Sequence, residues 1–430
     1  MDIRYPKYKR LNVASGRVFK DNGDFINIAS VIKDVFADQA GRVRVSTPEP
    51  LGDYKLINDR LPQFFDTEVN GTGEVTYSAT HKAHDMNTTA AGDWAIVQTY
   101  QRHNYFAGKA QFVETTSFLF DAQDGVEKRA GYYSSSTTTP FTANLDGFYL
   151  SARNGTHYLT IVNNGVTIAD IARADWNDPL DGTGPSAHVI DWDKFNVFQF
   201  NFLWLGGTGL RFSLIVGSNS YLVHEYIHIG SLNSDKLIFG SPNKPIRYEI
   251  RQSGADAGRF LPVCATVASE GSESSANIGD IRSIDTAAAN IITASYPDIV
   301  MVKGVRLKET HIDAIIDVLD VNVFIQTVND FYRWALILNP TVTGTPVWTD
   351  VADTSTQEAN GTGAITLAGG QVLRSGYGSS RATGGGDFRQ ARKIGAAIDG
   401  TRDELYLAVQ PLQGSTNLNL FGSITFKSFV

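Results

Sequence analysis

Apolar positions along this chain recur in two different rhythms. Over residues 27–37, Ile28, Val31, Ile32, Val35 and Phe36 fall at i, i+3, i+4, i+7 and i+8, the spacing of one helix face. Asn27 stands where an N-cap belongs and Gly41 lies just past the end, so the spacing predicts a helix of about three turns. From Arg42 onward the rhythm is alternation. Val43 and Val45 alternate with Arg42, Arg44 and Ser46 until Pro48 interrupts them. Residues 94–100, 110–120, 147–152 and 157–162 read as strands separated by Gly, Asn and Ser clusters. Residues 194–205 (KFNVFQFNFLWL) carry aromatic and β-branched residues in partial period-two alternation. Residues 211–216, a GSNS turn and residues 221–229 read as a hairpin, followed by strands at 246–251 and 260–267. Further strands are expected at 299–303, 311–319, 321–328, 333–338, 404–410 and 418–426.

Many short strands with no helix between them predict a mainly β protein built from antiparallel β-sandwiches of jelly-roll type, not a βαβ fold. At 430 residues the chain is too long for one ordinary core. Residues 1–26 are polar and basic and lack periodicity, so 1–40 reads as an extended arm ending in the short helix. Residues 41–268 form the expected first sandwich. The stretch 269–279 (SEGSESSANIG) is polar and small, as a linker would be, and 280–430 is a second, smaller sandwich. One short similarity joins the halves: EVNGTGEVT at 68–76 matches EANGTGAIT at 358–366 at six of nine positions. Each copy is a Gly-rich turn opening a strand. The flanks do not align, so two similar turns arising independently explain it better than a duplicated sandwich.

Composition narrows the functional classes. Apolar residues make up 42% of the chain, enough for packed cores, while charged residues are only 19%. The formal net charge of -8 argues against wrapping nucleic acid, which needs a basic surface. Arg4, Lys7, Lys9, Arg10, Arg17 and Lys20 make the arm locally basic, suited to an acidic partner or simply solvated. Cys264 is the single cysteine, so no internal disulfide and no cysteine-built zinc site can form. No signal-like apolar segment opens the sequence and no 18-residue apolar run follows, so synthesis in a reducing cytoplasm, with no membrane insertion, is the expectation.

One stretch has the form of a catalytic motif. His224–Glu225–Tyr226–Ile227–His228 fits the HExxH pattern of zinc peptidases, and Glu249 lies downstream where a third ligand would come. That chemistry requires a helix, because only there do residues i and i+4 converge on one ion. The setting YLVHEYIHIG is β-branched and aromatic. On a strand the two histidines share a face about 13 Å apart and Glu225 turns to the opposite one. The zinc reading is therefore set aside, and the sequence assigns no catalytic, cofactor or metal residue. Asp175, Asp178, Asp181, Asp191 and Asp193 cluster within nineteen residues but lack calcium-loop spacing, and turn aspartates explain them better. Trp94, Tyr105, Tyr132, Tyr133, Trp176 and Trp192 lie near expected loops and are the candidates for a sugar platform. Aromatics at strand spacing more often belong to cores.

Three stretches, GRVRVSTPEPLGDYKLI (41–57), VHEYIHIG…SPNKPIRYEIRQSG (223–254) and WALILNPTVTGTPVWTDV (334–351), resemble segments of virion-associated structural proteins of tailed bacteriophages. They span both expected sandwiches and carry no chemical motif, so no functional residue transfers with them. The resemblance implies a particle component assembled in the host bacterial cytoplasm, with copies of itself and capsid or collar proteins as partners. It implies no cofactor. The expected role is a capsid-associated decoration, vertex or head-surface protein, anchored by its arm through Ile28, Val31, Ile32, Val35 and Phe36. A tail or fibre protein touching host glycan is the alternative, and a zinc peptidase the remote one.

Overall fold

The computed structural model describes residues 11–12, 17–19, 25–27 and 48–429, apart from 136–144, 218, 232–234, 271–278, 287–289, 293–295, 326–330, 362–364, 380–383, 388–392 and 413–417. Within them the chain is strand after strand, with short 3-10 turns at Arg173–Asp175 and Glu309–His311, so the mainly β expectation holds. Near the N-terminus Leu11–Asn12, Arg17–Phe19 and Phe25–Asn27 form a small three-stranded sheet. Asn27, the expected helix cap, ends a strand there. The helix itself, with Ile28, Val31, Ile32, Val35 and Phe36, lies outside the described residues, as do Val43 and Val45.

The first sandwich packs two antiparallel sheets. One has seven strands in the order Val166–Ala172, Thr156–Asn163, Leu145–Arg153, Val126–Ser135, Ile246–Gln252, Trp94–Thr99 and Phe65–Asn70. The other runs Asn219–Ile227, Gly209–Val216, Asn196–Leu203, Gln111–Phe118, Gly258–Ser269, Ala83–Thr88 and Glu74–Ser78, with Glu49–Lys55 added beside Gly258–Ser269. Period-two alternation puts Phe198, Phe200 and Phe202 of one strand into the core and Gln199 and Asn201 on its other side. Phe148 from the facing sheet packs on Phe200 and Phe202 at ring distances of 5.2 and 5.3 Å, so aromatic contacts join the layers. Between these strands Gly71 takes a left-handed φ of 65° beside Asp93, whose carboxylate accepts from the Thr72 hydroxyl and from the Thr72, Thr89 and Ala90 amides. A Cβ at Gly71 would lie 2.2 Å from that carboxylate.

The second sandwich pairs Asp280–Asp285, Leu418–Phe429, Ile315–Ile325 and Gly384–Asp387, with Asn290–Ile292 alongside, against a sheet centred on Val300–Leu307, Glu404–Pro411 and Phe331–Leu338. Its core joins Val318, Val321, Ile424 and Phe426 to Val302, Val305, Trp334 and Leu407. Two expected strands, 311–319 and 321–328, are one: Ile315–Ile325 runs through, with a register shift between Val318 and Asp320 against Leu418–Phe429. His311 lies in the preceding 3-10 turn. The paired NGTG turns take different places. The first links Phe65–Asn70 to Glu74–Ser78 in the opposite sheet, whereas the strands around the second both pair with Val300–Leu307. Among the described residues no helix is long and apolar enough to cross a membrane.

Candidate functional site

The face of the seven-stranded sheet that turns away from the aromatic core is charged. Register sets Arg129 opposite Glu249 and Glu127 opposite Arg251, and Arg247 opposite Gln98 on the next strand. Strand alternation therefore brings these six side chains to one surface while Tyr132, Tyr248 and Ile250 enter the core. Glu249 accepts from Arg129 Nη1 at 2.9 Å and from Arg247 Nε at 2.6 Å. Arg247 also donates to Gln98 at 2.8 Å. Glu127 accepts from Arg129 at 2.8 Å and from Arg251 at 2.6 Å. Tyr149 and Tyr133 flank the two central guanidinium groups, at 5.2 and 5.7 Å. Glu249 and Arg247 are both 0% exposed, so the lattice is stable only because each charge meets its opposite. Burial works against charge at Glu127, yet Arg129 and Arg251 hold its carboxyl below the usual range. Each oxygen of Glu127 and Glu249 already accepts from a guanidinium group.

Beside this lattice the second sandwich reaches over. Residues 394–403 turn back on themselves, with Ala396 bridged to Arg402 and Gly400 at a left-handed φ of 85°. Ala396 N donates to Tyr100 O at 3.1 Å and Ile398 N to Asp66 Oδ2 at 2.8 Å. Ile398 packs with Ile96 and Trp94. A buried ion cluster completes the junction. Lys244 Nζ meets Asp146 at 2.7 Å in its own sandwich and Asp313 at 2.6 Å in the other. Arg102 approaches the same Asp313 at 3.5 Å and donates to Ala396 O at 2.9 Å. Burial opposes ionisation of Asp313, but Lys244 and Arg102 keep its carboxyl below the usual range. Next to the junction opens a cleft of about 690 Å³, walled by Tyr100 from the first sandwich and by Arg306, Glu309, Asp399, Arg402 and Glu404 from the second.

The HExxH-like residues do not meet. His224 is in the strand Asn219–Ile227, opposite Phe212, and its Nδ1 accepts from Asn177 N at 3.3 Å. Glu225 pairs with Arg211 across the hairpin at 2.9 Å. His228 lies just beyond the strand, with Nε2 bonded to Lys236 O at 2.7 Å, and Glu249 belongs to the opposite sheet. Among the described residues no three His, Cys, Asp or Glu side chains converge as a metal site. The clustered aspartates serve turns: Asp178 accepts from Leu180 N and Ser186 N, Asp181 from Thr183, and Asp191 from Asp193 N. Of the candidate sugar-platform aromatics, Tyr132, Tyr133, Trp176 and Trp192 are buried. Tyr105 stacks on Phe202 at 5.8 Å, and Trp94 packs against the incoming loop. These six form no open platform.

Sequence reasoning passed over Glu127, Arg129, Arg247, Arg102, Lys244 and Asp313. A signal was present in IRYEIRQ and VEKRAGYY, where charges of opposite sign recur two residues apart within strand-like runs, the spacing that puts ion-pair partners on one face of a strand.

No protein family profile matches the sequence, and no curated protein matches it. Among solved structures the chain is similar to a β-glucanase of Bacillus licheniformis (TM-score 0.33, 9% identity, 52% of this chain and 99% of that one). It is also similar to the carbohydrate recognition domain of Emp47p (TM-score 0.35, 12% identity, 54% and 100%). A glycoside hydrolase family protein from Mycobacterium thermorestibile is similar at TM-score 0.35 and 8% identity, over 50% and 99% of the two chains. At these scores and identities the likenesses assign no residue and no activity.

Proposed function

We propose that this chain is a non-catalytic structural protein of a tailed-bacteriophage particle: a capsid-associated decoration, vertex or head-surface component that assembles with copies of itself and anchors through residues 1–40. The observation that carries the reading is the junction, where Asp313, shared by Lys244 and Arg102, ties two sandwiches into one body. A component repeated over a shell gains from fixed geometry, because each contact it makes is then made identically by every copy. The three-stranded sheet at residues 11–27 adds a second support. Strands of two and three residues are too short to persist alone, so such an element suits docking onto a neighbour. The test is deletion of residues 1–40. The remaining body is expected to keep its β circular-dichroism spectrum and to be missing from purified particles. Incorporation of the truncated chain at the normal level overturns the anchoring role.

A second reading, a tail or fibre protein that contacts host glycan, is favoured by the open polar cleft at the junction. Immunogold labelling of intact particles with antibody against residues 280–430 separates the two. Gold over heads or vertices supports the shell role, gold on tails or fibres supports host contact, and unlabelled particles with a demonstrably accessible epitope overturn both.

A further inference from the structure

We propose that the cleft between the two sandwiches, walled by Tyr100, Arg402 and Glu309, binds a neutral oligosaccharide; this rests on the second reading above and names its site. The cleft's volume, about 690 Å³, falls within the range of small-molecule sites. Much of its wall is fixed in advance. Arg306 stacks 4.2 Å from the Trp348 ring centroid and is tied to Glu404 at 2.7 Å and Gln357 at 3.0 Å. Asp403 is buried, with its oxygens taken by Asn339 Nδ2 and Gly395 N. Asp399 is held by the Thr401 amide and hydroxyl. Such preorganisation lowers the entropic cost of binding.

Other groups in the wall keep hydrogen-bonding capacity. Arg402 uses Nη1 on Leu307 O and Gln357 Oε1, and its Nε and Nη2 have no acceptor among the described residues. Glu309, exposed on its 3-10 turn and within electrostatic reach of Arg402, has no hydrogen-bond donor there either. A sugar ring presents hydroxyls that both donate and accept, and an apolar C–H face. Guanidinium donors, a carboxylate acceptor and a phenol ring complement all of these. Four carboxylates (Glu309, Asp399, Asp403, Glu404) against two guanidinium groups (Arg306, Arg402) disfavour an anionic ligand.

The test is calorimetric titration of the full chain with neutral trisaccharides of glucose, galactose, mannose and N-acetylglucosamine, with sialyllactose and trilysine as charged controls. At least one neutral trisaccharide is expected to bind. Glu309→Gln, at an exposed position, and Arg402→Ala are each expected to weaken it roughly tenfold or more, the effect of losing one charge-assisted hydrogen bond. Neutral-sugar binding that survives both substitutions overturns the cleft assignment and leaves the glycan reading standing. Binding of trilysine or sialyllactose in place of neutral sugar overturns the ligand class. Binding by none of the probes overturns the site and the glycan reading together.

Discussion

Three buried histidines tie stability to pH through single side chains. His84 lies against Phe65 with a 4.9 Å ring separation, and neither ring nitrogen has a hydrogen-bond partner among the described residues. His103 bonds the Tyr54 hydroxyl at 2.9 Å and Lys244 O at 3.0 Å. His157 stacks 3.6 Å from Trp192 and bonds Phe120 O at 2.8 Å. Burial pulls the first down to about 3 and the other two to about 4. Each is therefore neutral in the folded chain, while in the unfolded chain it titrates near 6.5. Their stabilisation is complete above that value and is lost as pH falls from it toward the folded values. At pH 5 each contributes roughly 2 kcal/mol less than at pH 8. Calorimetric midpoints should fall clearly between pH 7 and 5, and His157→Gln should make that fall shallower. A midpoint that stays level over this interval contradicts the assignment. Asp313 and Glu127, whose carboxyls are held low, lose their share only below about pH 4, so the two windows separate.

At the scale of strands, legibility followed the outward face. Asn196–Leu203 was readable because Phe198, Phe200 and Phe202 alternate with polar residues. Val126–Ser135 was not, because it is buried along its whole length and Lys128 interrupts the core side formed by Val126, Ala130 and Tyr132. Lys128 is buried beside Asp121, donating to it at 2.5 Å and to Leu119 O at 2.9 Å, and Glu127 and Arg129 fill the other face. Such a strand carries only a broken hydrophobic period, and one of its two partners, Ile246–Gln252, comes from a distant part of the chain. Phe65–Asn70 and Ala83–Thr88 are hard to read for a related reason, since Asp66, His84 and Thr88 stand partly or fully buried among their apolar positions. The HEYIH stretch is legible as strand, whereas Glu249, spaced like a third metal ligand, serves in the ion lattice. That lattice yields a sharp expectation. Glu249→Ala removes the carboxylate that the buried Arg247 Nε meets at 2.6 Å and Arg129 Nη1 at 2.9 Å, and should cost about 3–5 kcal/mol in urea unfolding. Glu249→Leu combined with Arg247→Met removes both charges and should cost less than Glu249→Ala alone. If the double variant is the weaker, the lost counter-charge of Arg247 is not the source of the loss.

For the whole molecule the deciding contact is the one between sandwiches. Each has its own core, and domains with separate cores unfold independently unless their interface is strong enough to couple them. Here coupling rests on Asp313 shared by Lys244 and Arg102, and on the loop seated by Ala396 and Ile398. Gly395 lets that loop approach, since a Cβ there would lie 1.9 Å from Tyr100 O. Asp313→Asn removes the shared charge. Lys244 keeps Asp146, but Arg102, only 2% exposed, then lacks a carboxylate within ion-pair distance among the described residues, which should weaken the junction by roughly 3 kcal/mol. Gly395→Ala should lift the loop by steric force with every charge in place. Differential scanning calorimetry of the unaltered chain is expected to give one transition, and either variant should split it into two. Neither variant should change the β circular-dichroism spectrum at low temperature. A single transition with an unmoved midpoint in both variants means that the sandwiches are coupled elsewhere, and the fixed junction no longer supports a shell role. Two transitions, together with poorer incorporation into particles, make rigidity at Asp313 a requirement of assembly.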